Sequence, residues 1–148
     1  MKALFTSIFL GLLVTISSSA NTLPTGVWRL ESYNFQQKIA FPNDKNGITM
    51  TIREGGKIGG RSGCNVYGGS YSVEDGKLRI SELISTMMAC DEPTMQFEQT
   101  FFRTLEGATE FTAESWKLTL TDPKTGNFVK FTRVEDRDKC VPSSDEKL

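Results

Sequence analysis

Three cysteines and no histidine bound the chemistry open to this 148-residue chain. Cys64 stands inside GGKIGGRSGCNVYGGSYSVEDG, residues 55–76, where eight of the thirteen glycines fall. Such a density raises the question of a catalytic or phosphate-binding loop. Without an imidazole, Ser-His-Asp and Cys-His catalysis are both excluded, because each needs one to take the proton at neutral pH. Lys57 or Arg61 could lower the Cys64 pKa, but a structural disulfide is the more frequent state of an exported cysteine. Zinc needs about four ligands at short spacing. Cysteines at 64, 90 and 140 do not supply them. Neither G-x-x-x-x-G-K-[ST] nor G-x-G-x-x-G occurs, and the glycines lie between strands rather than ahead of a helix. Glu74-Asp75-Gly76 lacks the remaining ligand spacing of a calcium loop and reads as a hairpin turn. No carboxylate pair stands out for glycoside hydrolysis. The expectation is a protein without enzymatic activity, cofactor or metal.

These residues must be carried by a fold, and the chain announces one. Residues 1–20 read as a cleavable secretory signal peptide: Lys2, an apolar run from Ala3 to Ile16, then Ser17-Ser18-Ser19-Ala20. The run is shorter than the ~20 residues of a membrane span. Cleavage after Ala20 would leave a mature chain of 16 basic and 18 acidic residues, net charge −2. Interspersed signs near neutrality offer no basic surface for nucleic acid or membrane. The implied localisation is secreted or periplasmic, an oxidising setting in which two cysteines can pair and one is left over. Cys140, if unpaired, could link two chains.

Short alternating segments follow. Gly26–Tyr33, Ile48–Arg53, a strand from about Ile58, Val66–Val73, Lys77–Leu83 and Ser85–Cys90 read as strands, with a loop over Asn34–Gly47. Asp91 caps a helix with Pro93 in its first turn; Phe97, Phe101, Leu105 and Ala108 form one face, and Gly107 marks the end. Trp116–Thr121, with Trp116, Leu118 and Leu120 inward, and Asn127–Val134 close the domain, assigned to residues 21–134. Residues 135–148 read as a polar tail.

Gly26-Val-Trp28, the run from Gly60 to Tyr71, Leu78-Arg-Ile80, the run from Ser85 to Cys90, the helix and Leu118-Thr-Leu120 together resemble the META domain, also called HslJ-like. The paired elements G-C-N-x-Y-x-G-x-Y and M-A-C carry the match, with Trp28, Gly63, Asn65, Tyr67, Gly69, Tyr71, Met88 and Ala89 as structural motif residues. Val66 and Met87 stand where the family often has basic residues. The resemblance implies an α+β fold, mainly antiparallel, in which a partly opened barrel-like sheet carries one helix. It also implies a Cys64–Cys90 disulfide between neighbouring strands and a stress- or antibiotic-tolerance-related role. Asn65 is expected to hydrogen-bond the backbone of its own bend. The leading expectation is a non-enzymatic binding protein with an unknown protein partner or ligand. A carrier of a small apolar ligand in the barrel mouth and a secreted protease inhibitor using the Asn34–Gly47 loop are the alternatives.

Overall fold

The computed structural model describes residues 22–40 and 47–134. The expected signal peptide, residues 41–46 of the expected loop, and the expected tail with Cys140 lie outside the described residues. Among the described residues, nine strands and one helix follow in the order β1 (Gly26–Phe35), β2 (Lys38–Ala40), β3 (Thr49–Arg53), β4 (Lys57–Arg61), β5 (Val66–Glu74), β6 (Lys77–Ser85), α1 (Glu92–Gly107), β7 (Glu110–Ala113), β8 (Lys117–Asp122) and β9 (Asn127–Arg133).

The strands form one antiparallel sheet in the order β6-β5-β4-β3-β1-β9-β8-β7, with β2 paired to β1. The Leu78 amide in β6 donates to the Thr109 carbonyl just ahead of β7 at 3.0 Å. The two ends of the sheet therefore meet, and the sheet curls into a partly closed barrel, as expected.

Period-two patterning fills its interior. Trp28 and Leu30 point inward from β1, Met50 and Ile52 from β3, Leu118 and Leu120 from β8, and Val129 and Phe131 from β9. Each fully buried side chain of this size contributes about 1.5–3 kcal/mol. The helix covers the sheet with Phe101 and Leu105, both fully buried. Asp91 caps it by accepting from the Thr94 amide at 3.1 Å.

Four expectations need correction. Residues 34–40 of the expected Asn34–Gly47 loop are a hairpin rather than a loop, because β1 runs to Phe35 and turns at Gln36-Gln37 into β2. Ser85–Cys90 is not a strand: β6 ends at Ser85, and Thr86–Asp91 is irregular. The cysteines accordingly sit in loops rather than on neighbouring strands. An unexpected strand, β7, precedes β8. Trp116 is 55% exposed rather than inward. It lies in the β7–β8 turn, closed by Glu114 N to Lys117 O at 2.8 Å, beyond the end of the core.

Candidate functional site

The glycine-rich motif is organised around a residue it does not contain. Glu98, in the second turn of α1, is 5% exposed. Its Oε1 accepts from Ser62 Oγ at 2.7 Å, from the Asn65 amide at 2.8 Å and from the Cys64 amide at 3.1 Å. Oε2 accepts from Asn65 Nδ2 at 2.7 Å. The loop between β4 and β5 thus wraps its donors around one carboxylate. Burial alone would raise the Glu98 carboxyl, but these donors outweigh it and hold the pKa below its ordinary value. Glu98 therefore stays ionised at neutral pH and has no proton to give.

Two glycines make this approach possible. Gly63 has φ +126°, and a Cβ there would stand 3.3 Å from Thr94 Cγ2 on the helix. Gly60 lies so close to β3 that a Cβ would collide with the Thr49 carbonyl.

Asn65 reaches away from its bend as well as toward Glu98. Its Oδ1 accepts from Thr86 Oγ1 at 2.9 Å and from the Met88 amide at 2.8 Å. It therefore pins residues 86–88, a longer-range role than the local one expected. Thr86 N also donates to Val66 O at 3.0 Å. Cys64 and Cys90 form a disulfide, with Cα atoms 6.3 Å apart. This separation is within the ordinary range for a disulfide. Side-chain bonds, the single Thr86–Val66 backbone bond and one covalent bond hold the 86–90 segment beyond the end of the sheet ladder.

The remaining motif residues divide into buried and exposed groups. Trp28 is fully buried and donates from Nε1 to Pro24 O at 3.1 Å. Tyr67 is buried, donates to Thr49 O at 3.1 Å, and meets Phe101 and Phe102 edge-on. Burial pushes its phenol pKa far up. Tyr71 is buried beside Thr22, its hydroxyl 3.0 Å from Thr22 Oγ1. Gly69 lies under Leu83, where a Cβ would come within 2.8 Å of Leu83 Cδ2. Met88 and Ala89, by contrast, are exposed.

Around the exposed group lies a groove of about 390 Å³ between the 86–89 segment and α1, lined by Ser85, Met87, Met88, Met95 and Phe102. A smaller recess of about 130 Å³ adjoins it across Ser85 and Phe102, adding Leu83, Ile84 and Glu106. Met87 is 98% exposed, Ile84 75%, Met88 52% and Met95 38%. Clustered exposed thioethers and aliphatic groups make an adaptable apolar surface. Val66 is also exposed, so that both it and Met87 are apolar surface in this chain.

Sequence reasoning missed Glu98 and the groove. The signal for Glu98 was an acid on the apolar helix face, three residues before Phe101 and seven before Leu105. Among the described residues, no cluster of three or more His, Cys, Asp or Glu could hold a metal ion, and no helix is long and apolar enough to cross a membrane.

Three solved structures resemble the chain. An NMR structure of a protein from Burkholderia xenovorans has TM-score 0.63 and 23% identity, covering 84% of this chain and all of that one. A crystal structure of a DUF4847 family protein from Bacteroides vulgatus has TM-score 0.53 and 13% identity, covering 76% of this chain and 94% of that one. A further NMR structure has TM-score 0.55 and 23% identity, covering 73% and 88%. At these identities the likeness is one of fold. No curated protein matches. The META domain family matches residues 21–136, which include the entire sheet, the helix and the Cys64–Cys90 clamp; the chain belongs to that family.

Proposed function

We propose that this chain is an exported, non-enzymatic META-domain protein that binds a small apolar molecule in the groove between residues 86–89 and α1. The observation that carries this reading is the joint exposure of Met87, Met88 and Met95 around one groove, with exposed Ile84 in the adjoining recess. Its size falls in the range of small-molecule sites. The barrel interior is filled by Trp28, Met50, Phe101 and Phe131, so the ligand lies outside the barrel rather than in its mouth. Glu98, a buried acid beside the groove, is saturated with donors and unsuited to proton transfer. The leader-like first twenty residues support export, and the resemblance to stress-associated proteins supports a role in tolerance.

Titration with an anilinonaphthalene dye tests the groove. Ile84→Glu and Met88→Glu should each weaken binding on the order of tenfold by placing a charge against apolar ligand surface. Absence of dye binding, or binding indifferent to both changes, would overturn the reading.

A further inference from the structure

Among the described residues, the methionines occupy two opposite environments. Met50, on β3, is 0% exposed, while Met87, Met88 and Met95 are 98%, 52% and 38% exposed and line a single groove. We propose that these three thioethers are a peroxide-modification site whose oxidation converts the groove from apolar to polar while leaving the fold in place. In the reaction a sulfur lone pair attacks one peroxide oxygen. A sulfur–oxygen bond forms, the O–O bond breaks, and the second oxygen leaves as water; the thioether is oxidised to a sulfoxide and the peroxide is reduced. The product is a strong dipole in place of an apolar atom.

The surrounding geometry separates this event from unfolding. The backbone beneath Met87 and Met88 is held by Thr86 N to Val66 O, by Met88 N to Asn65 Oδ1, and by the disulfide at Cys90. None of these contacts uses a methionine sulfur. Oxidation therefore alters what the segment presents without touching what fixes it. The consequence for ligand binding rests on the groove reading above, whereas the order of oxidation and the change in surface do not.

The test treats the full chain with graded hydrogen peroxide and maps sulfoxides by peptide mass spectrometry. Met87 and Met88 should oxidise on the order of tenfold faster than Met50, with Met95 between them. The oxidised protein should retain its melting temperature and elute earlier from a phenyl column. Methionine sulfoxide reductases should restore the original retention, judged against a reductant-only control because reductant also opens the disulfide. A Met87→Leu/Met88→Leu/Met95→Leu variant should keep constant retention under peroxide. Oxidation of Met50 at the rate of the groove methionines overturns the proposal, as does unchanged retention after oxidation. Dye binding separates the two ideas: loss on oxidation supports both, and retention of full binding overturns the switch. If neither form binds dye, the groove reading falls while mapping and retention still decide this one.

Discussion

Two nearly buried carboxylates flank the same helix, and they do different work. Glu98 projects from the second turn of α1 and gathers donors from residues 62–65, more than thirty positions away in sequence. Asp122, at the end of β8, lies against Gly107 at the last residue of the helix and accepts from its own turn. Its partners are the Lys124 amide at 2.9 Å and Thr125 Oγ1 at 2.7 Å. Both carboxyls are held below their ordinary pKa, Asp122 chiefly by the Thr125 hydroxyl and Glu98 by four donors acting against its burial. One acid fastens distant parts of the chain; the other shapes a hairpin. Similar chemistry thus supports tertiary order in one place and local order in the other.

The largest way to break this contrast is to remove the covalent member of the Glu98 assembly. Replacing Cys64 and Cys90 with serine should cost about 3.5 kcal/mol in the chain-entropy view of a 26-residue separation, read by urea denaturation. Glu98→Ala should follow at about 3 kcal/mol, because it strands several buried donors at once. Combined with the cysteine changes its effect should be non-additive, since both act on one loop. Asp122→Ala should cost only about 1 kcal/mol, because its partners lie at an exposed turn where water can replace it. Glu98 and Gly107 lie nine residues apart, about 13 Å along the helix axis. Glu98→Ala and Asp122→Ala should therefore add, and a measured coupling between them would erase the distinction drawn here.

Two finer tests sharpen it. A Cβ at Gly107 would stand 2.7 Å from Asp122 Oδ2. Gly107→Ala should thus destabilise the wild-type chain yet be harmless or stabilising in the Asp122→Ala background, where alanine's helical preference is unopposed. The smallest effect is a slope against pH. Both folded-state pKa values are depressed, so the stabilisation is complete above the ordinary values of 4.5 for Glu98 and 3.8 for Asp122, and is lost as pH falls through the lower folded values. Glu98→Gln and Asp122→Asn should each flatten the acid limb of the stability curve, and an acid limb left unchanged by either substitution would contradict the donors assigned to that carboxylate.

The fold was legible wherever a backbone period carried it. β3, the β5–β6 hairpin and α1 follow directly from alternation, from Asp75-Gly76 and from the four-and-three spacing of Phe97, Phe101, Leu105 and Ala108. β2 escaped because its turn is Gln36-Gln37, both with positive φ, where Asn-Gly would have signalled the hairpin. β7 escaped because Glu110–Ala113 is only four residues long and buries no residue fully. Ser85–Cys90 looked like a strand because its composition is apolar. Its neighbours are side chains and a disulfide rather than a ladder, and that depends on Glu98 and Asn65 meeting across the fold. The motif was expected to be scaffold, and the acid on a helix around which its loop is wrapped went unremarked. The groove was illegible for a related reason: Met88 and Ala89 sit in the motif, while Met95 and Phe102 come from α1, and only the tertiary structure brings them together.

The Cys64–Cys90 bond also determines how this molecule would respond to force. It encloses the whole β5–β6 hairpin, so tension applied to the two ends passes from Cys64 to Cys90 without straining the residues between them. With a sequence separation of 26, roughly 80 Å of contour is withheld until the bond is cleaved. Stretched under oxidising conditions, the domain would release the length of its other strands and stop short. A reductant would then add the missing step, a single-molecule signature of which part of the chain the clamp protects.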